Sequence, residues 1–325
     1  MTSSPIRMVL MGTGPFAVPS FAALAESSHE IAAVVTKPLP TIKSRRGPPP
    51  QPVREWASSR EMRILDPPTI NSDQAVKAVT DLQADLMVVC DYGHILKPDA
   101  LAATRWGGIN LHGSLLPAYR GAAPVQRALL SGDSLTGVSV IHMTPRLDGG
   151  PILATRSIEI QNDETSGDLE VRLANLGVEA TLEAVQMLID SNGQPQGRVQ
   201  DAAKITRAPR LTKDEAEIDW ARSARMIDVH VRGMQPWPIA FTHIAISPSK
   251  PPMRLAVLDT TPLSITSESS QIGKRIDAPG LVIGCGDGAV RLNRVQPAGK
   301  KAMSGDAFVN GYHIEVGAPL IRMER

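Results

Sequence analysis

The sequence is poor in cysteine: its 325 residues hold two, Cys90 and Cys285. Both lie inside apolar stretches, which argues against a disulfide framework or a thiolate metal site and for a reducing compartment. No apolar run approaches the roughly 18 residues a membrane helix needs, and no secretory leader is visible. A cytoplasmic protein with no membrane partner is expected. H-E-x-x-H and paired C-x-x-C are both missing, so no metal is expected in the chemistry. A surplus of one charge sign is lacking too, with 34 Lys and Arg against 33 Asp and Glu. The distribution is less even. Residues 1–190 carry 16 basic against 20 acidic side chains, and the remainder 18 against 13. A mildly basic C-terminal part is compatible with a nucleic-acid partner, and equally with plain solvated surface.

What is present is 42% apolar residues, ample for a core, and a length that suggests two domains. Up to residue 190 short apolar runs alternate with amphipathic segments. Ile6–Met11, Ile31–Val35, Leu86–Cys90, Gly107–Leu111 and Val138–His142 read as strands. Pro15–Glu26, Ser72–Leu82, Ala123–Leu130 and Ser166–Asp190 read as helices, the last with Leu169, Leu173, Leu176, Ala180, Ala184 and Leu188 near helical spacing. This alternation predicts a mainly parallel sheet covered on both faces. Residues 37–56 contain six prolines and five Lys or Arg, and are expected to form an exposed loop with no core role. Ser191–Gly197 has the composition of a linker. Beyond it a helix over Ser223–Met234 precedes short β-like runs at Met253–Leu258, Gly280–Ile283 and Ala289–Val295. Gly284–Gly288 suits a hairpin turn, and the whole suggests a small barrel or sandwich.

The stretch Gly12-Thr13-Gly14-Pro15-Phe16-Ala17 follows the first apolar run with the spacing of a dinucleotide-binding fingerprint. A nicotinamide site normally adds an acid about 20 residues later for the ribose. Here that position reads Val35-Thr36-Lys37-Pro38, with no acid. The glycines are therefore expected to make the tight turn of an α/β domain, and no NAD(P) is expected.

Gly108-Ile109-Asn110-Leu111-His112-Gly113 is more informative. Strand side chains alternate, so Asn110 and His112 share one side at the carboxyl end, where open α/β sheets bind ligands. Asp148, in Leu147-Asp148-Gly149-Gly150, puts a carboxylate on a second strand-end loop. Each residue alone also suits a structural role, and an Asp before two glycines is commonly a turn residue. Together they suit attack of an amine on a carbonyl through a tetrahedral intermediate. Asn110 would donate to the developing oxyanion, His112 would move the amine proton, and Asp148 would orient the imidazole and stabilise its cation. No covalent nucleophile is required.

The segments NLHGSLLPAYRGAAPVQRAL and TGVSVIHMTPRLDGGPIL resemble the signature region of the methionyl-tRNA formyltransferase family, within the folate-dependent formyltransferase superfamily. GTGPFAVPSF, DYGHIL, TKDEAEIDWARSARMIDVHVRGMQPWPIAF and QPAGKKAM extend the resemblance over almost the whole chain. It implies a Rossmann-like formyltransferase domain over 1–190, a linker over 191–209 and an OB-like β-barrel over 210–325. It implies formyl transfer from 10-formyltetrahydrofolate to the methionine α-amino group of initiator Met-tRNA. Asn110, His112 and Asp148 fall on the family's catalytic positions. Ser114, Leu115, Leu116 and Pro117 match its folate-binding S-L-L-P, and Tyr92 and Gly93 a segment lining the pterin pocket. The loop holding Lys43, Arg45 and Arg46 corresponds to one that approaches the tRNA acceptor end, in a register different from the family's R-P-A-G-R-G-K-K. Lys204, Arg207, Lys300 and Lys301 are further candidates for tRNA phosphates. Around Asp148 the chain reads R-L-D-G-G where G-L-D-T-G is common.

Three rival readings remain at this level. A glycinamide ribonucleotide formyltransferase would resemble only the first domain. A formyl-folate hydrolase would share the catalytic trio. A tRNA-binding protein without activity would not need Asn110, His112 and Asp148 together.

Overall fold

The run after Arg7 forms strand β1 (Arg7–Gly12), whose last five residues are all buried. It pairs in parallel with β2 (Glu30–Val35), which pairs with β3 (Ile64–Leu65). On its other side β1 pairs in parallel with β4 (Leu86–Cys90), and β4 with β5 (Gly108–His112). Helices α1 (Val18–Ala25), α2 (Pro52–Ser59), α3 (Asp73–Thr80) and α4 (Pro98–Leu101) occur in these connections. The structure is a computed structural model that describes residues 5–39, 49–246, 251–265 and 268–322.

After β5 come a short strand β6 (Arg120–Gly121) and helix α5 (Pro124–Leu130). The sheet then changes direction, for β7 (Leu135–His142) runs antiparallel to β5 and β8 (Ile152–Glu159) antiparallel to β7. The seven strands lie in the order β3-β2-β1-β4-β5-β7-β8. The expected parallel sheet is thus a five-strand parallel region with two antiparallel strands at one edge. The central strands are buried on both faces, which is why they read as continuous apolar runs. Val9, Met11, Val35, Met87, Val89 and Tyr92 belong to the core cluster on one face. On β5, Leu111 lies against Gly177 of the long helix α6 (Ser166–Asp190), where an added Cβ would come within 2.7 Å of the leucine.

The expected loop over 37–56 needs correction at its end. Pro52 starts α2, with Val53, Trp56 and Ala57 buried. Proline at the first helical turn costs nothing because that N–H has no intrahelical partner. The clustering of prolines hid a core helix behind a loop signature. Lys43, Arg45 and Arg46 lie outside the described residues.

The chain divides into two compact units: residues 1–125, 135–159 and 170–209 in one, and 126–134, 160–169 and 210–325 in the other. Within the first, residues after α6 run alongside the sheet and contribute β9 (Arg207–Ala208), paired in parallel with β6. In the second, Ser223 caps helix α7 (Ala224–Gly233) by accepting from Met226 N. Its antiparallel sheet comprises β10 (Phe241–Ile244), β11 (Met253–Leu263), β12 (Val282–Gly284), β13 (Ala289–Pro297), β14 (Met303–Ser304) and β15 (Leu320–Ile321). The path is β12-β13-β11-β10-β15, with β14 on β13. Helix α8 (Gly305–Tyr312) follows β14. Residues 272–276 bridge the two ends: Arg275 pairs with Ile283 on one side and Lys274 with Pro319 on the other. Leu320 N donates to Gly273 O, and Gly273 N to Gly284 O. These isolated bridges link the two ends of an antiparallel half-barrel, in keeping with the expected OB-like domain, and β12 and β13 are joined by the anticipated hairpin at 284–288. Among the described residues no helix is long and apolar enough to cross a membrane.

Candidate active site

The end of β5 places the site. Its antiparallel pairing sets Asn110 opposite Ile141 and His112 opposite Ser139 on β7. Asn110 and His112 share a face by strand alternation, about 6.6 Å apart along the strand. The Asn110 side chain makes no hydrogen bond within the described residues and is partly exposed, so its amide is available to a ligand. His112 is almost buried at 6% exposure. Its Nε2 lies 2.9 Å from Tyr119 O. A carbonyl can only accept, so Nε2 carries the hydrogen and donates, leaving Nδ1 as the atom that takes or releases a proton. Nδ1 faces Asp148 Oδ2 at 3.9 Å.

Asp148 reaches that place through its turn. Its φ is +47°, a left-handed conformation uncommon for a residue with a side chain. The same Oδ2 accepts from Gly121 N at 2.8 Å. Gly121 itself needs to be glycine: its φ is +132°, and an added Cβ would stand 2.5 Å from Ala208 O. The structure therefore brings His112 and Asp148 together, with Asn110 on the same strand face as the histidine.

The turn after β5 is shaped from within. Ser114 is fully buried and its hydroxyl donates to Ala118 O at 2.6 Å. Ser139 Oγ donates to Ser114 O and accepts from Leu116 N. Leu116 packs with Ile141 and Ile152, while Leu115 and Pro117 are partly exposed. The side chains of Ser114 and Leu116 thus fix the shape of this turn from its buried side. Tyr92 is buried at 2% exposure within the core cluster, its hydroxyl without a partner among the described residues, and burial pushes that phenol up. Gly93 is exposed, with Lys37 Nζ 3.0 Å from where its Cβ would be.

The glycine fingerprint has a packing explanation. Thr13 N and Oγ1 both donate to Asp91 O, drawing the loop onto the end of β4. A Cβ at Gly12 would lie 2.5 Å from Cys90 O, and one at Gly14 1.7 Å from Asp91 Oδ2. The glycines allow that approach: Gly12 faces the Cys90 carbonyl oxygen and Gly14 the Asp91 carboxylate. Phe16 follows and packs near Gly113.

Lys204 and Arg207 are exposed on the first unit, and Lys300 and Lys301 on the second. Sequence reading missed the residues that hold His112, Asp148 and the turns beside them: Tyr119, Gly121, Ser139, Gln200 and Thr206. Only Ser139 carried a signal, as a hydroxyl inside the apolar strand Val138-Ser139-Val140. The others act through backbone groups or across 50 or more residues.

This chemistry on this sheet belongs to a class. Residues 6–185 match the family model described as formyl transferase, and residues 210–313 the one described as formyl transferase, C-terminal domain. The chain is 58% identical to the methionyl-tRNA formyltransferase of Rhodopirellula baltica, over 97% of each. It is a member of the methionyl-tRNA formyltransferase family. Among solved structures, HypX from Aquifex aeolicus in complex with tetrahydrofolic acid shares the fold at 14% identity and a TM-score of 0.64, covering 99% of this chain and 50% of that one. An N-formyltransferase from Helicobacter canadensis, bound to folinic acid and dTDP-3-aminofucose, does so at 15% identity and 0.64, covering 91% and 100%.

Proposed function

We propose that this chain transfers the formyl group of 10-formyltetrahydrofolate to the α-amino group of methionine on initiator Met-tRNA, by direct attack of the amine. Bound folate supplies the activated formyl group on N10. Asn110 donates its side-chain N–H to the formyl oxygen as negative charge develops there. His112 Nδ1 takes the proton released by the attacking nitrogen and returns one to the departing folate nitrogen. Asp148 holds the imidazole and stabilises its cation, while Tyr119 O fixes the ring at Nε2. Ser114–Pro117 and the backbone at Tyr92 and Gly93 form the folate side. The observation that carries this reading is the His112 ring, pinned at Nε2 and turned with Nδ1 toward a carboxylate at 3.9 Å. It is supported by the unengaged amide of Asn110 and by the two family matches. A substrate of this kind places the enzyme with translation, in the cytoplasm.

The test is a formylation assay with initiator Met-tRNA, glycinamide ribonucleotide and water as competing acceptors. Transfer to Met-tRNA alone is expected. Formate release or glycinamide formylation with no transfer to Met-tRNA would overturn the acceptor. His112→Ala and Asn110→Ala are each expected to leave folate binding in place and to lower kcat by roughly 10²–10⁴. A variant with wild-type turnover would remove its residue from the mechanism.

A further inference from the structure

The separation of His112 from Asp148 is set by two loops that are distant in sequence. Loop 119–121 supplies Tyr119 O to the histidine and Gly121 N to the aspartate. Loop 148–150 supplies the carboxylate. Neither loop is tied to the other by its own strand. Besides the hydrogen bond from Gly121 N to Asp148 Oδ2, what joins their backbones is residues 198–208, which follow α6. Arg198 and Ile152 exchange both backbone hydrogen bonds at 2.8 Å. Tyr119 N donates to Thr206 Oγ1 at 2.8 Å and Arg120 N to Thr206 O at 2.9 Å. β9 then pairs with β6.

Between these anchors stands Gln200. Its Nε2 donates to Asp148 O at 2.8 Å and to Gly150 O at 2.7 Å, so one amide group grips both ends of the Asp148 turn. Its Oε1 accepts from Arg120 Nη2 at 2.7 Å and Nε at 3.1 Å, which ties that turn to loop 119–121. Every hydrogen-bonding atom of the side chain is used. A residue with φ of +47° carries its strain only where surrounding contacts hold it. Here Gly121 N holds the carboxylate, and Gln200 holds the backbone of the turn at Asp148 O and Gly150 O.

We propose that Gln200 is a positioning residue for formyl transfer, acting through Asp148 to keep its carboxylate opposite His112 Nδ1, with Thr206 holding the facing loop. This rests on the catalytic reading of Asp148 given above. A displacement of about 1 Å in such a pair is enough to cost on the order of 10²-fold in rate.

Gln200→Glu separates positioning from simple packing. It keeps the side-chain length and an acceptor for Arg120, but sets a carboxylate against the carbonyls of Asp148 and Gly150. The expected result is a kcat lowered by about 10–100-fold, KM for 10-formyltetrahydrofolate within about twofold, and a native fold by circular dichroism. Added to Asp148→Asn, Gln200→Glu is expected to lower kcat by less than about twofold more, because residues acting as a unit are not additive. Should Gln200→Glu not fold, Thr206→Val removes the acceptor of Tyr119 N while keeping shape, and is expected to lower kcat with KM retained. Wild-type kcat in the folded Gln200→Glu variant, or in Thr206→Val where that variant is the one read, or a full further loss on Asp148→Asn, overturns the proposal. Wild-type turnover in Asp148→Asn alone is a different failure, and overturns the reading beneath it.

Discussion

His230 on α7 is buried, at 9% exposure, and its Nε2 has no partner among the described residues. Burial is the main cause holding its pKa below 6.5; Ala216 O, Asp219 and Glu215 oppose that shift and Arg222 adds to it. An unfolded chain accepts this proton near pH 6.5, and the folded chain only at lower pH. Below about pH 6.5 the unfolded state therefore binds more protons, and stability falls as pH drops toward the folded value. Unfolding free energies measured from pH 7.5 to 5 should decline less steeply in His230→Gln than in the wild type. Parallel curves would show that His230 does not titrate between the two states. Glu170 has the opposite sign. Burial first, and Asp91 second, lift its carboxyl above 4.5. The folded chain keeps that proton longer, so stability is lost as pH rises from about 4.5 through the folded value. Glu170→Gln should be stabilised relative to the wild type at pH 7 and not at pH 4.

At the scale of the element, the turn from β1 toward α1 tests why two glycines stand there. A Cβ at Gly12 meets the backbone oxygen of Cys90, which cannot rotate away, and Phe21 at 3.0 Å. A Cβ at Gly14 meets the end of the Asp91 side chain, which can turn aside. Gly12→Ala should therefore cost about 1–3 kcal/mol in urea unfolding, and Gly14→Ala about 1 kcal/mol or less. Equal costs, or the reverse order, would refute the packing explanation. The same turn shows what a sequence discloses. Its motif and apolar run located β1 correctly, because a strand buried on both faces writes an unbroken apolar run. The period of α6 was readable for the same reason, since 25 residues repeat one buried face. β3, β9 and β15 have two residues each, too few for any period. β8 was missed because only its first three residues are buried and the rest alternate with solvent. In the candidate site, the placement of Asn110, His112 and Asp148 at strand ends was legible, and His112 and Asp148 do come together. Gln200 was not, because its part depends on carbonyls at Asp148 and Gly150 that any sequence would supply.

For the whole molecule, charge is the property that links fold to an RNA substrate. The chain is nearly neutral, so binding of a polyanion has to rest on local basic groups and not on overall charge. Lys204 and Arg207 are exposed on the segment that also carries Gln200 and Thr206, while Lys300 and Lys301 are exposed beyond β13. Lys43, Arg45 and Arg46 form the remaining basic group. Each cation that neutralises a phosphate releases counterions, and its loss flattens the log Kd against log salt slope by roughly 0.7–0.9. Replacing Lys204 and Arg207 together by Gln should flatten the slope for initiator Met-tRNA by about 1.4–1.8 if both touch phosphate. Removing Lys43, Arg45 and Arg46 should flatten it further, by an amount that counts their contacts. KM for 10-formyltetrahydrofolate should stay unchanged in both variants if these cations serve the RNA and not the folate. A slope unaffected by Lys204 and Arg207 but reduced by Lys300→Gln with Lys301→Gln would move the RNA contact from the catalytic unit to the barrel. A loss of affinity with the slope intact would mean that the substitutions disturb the fold and not the phosphate contacts.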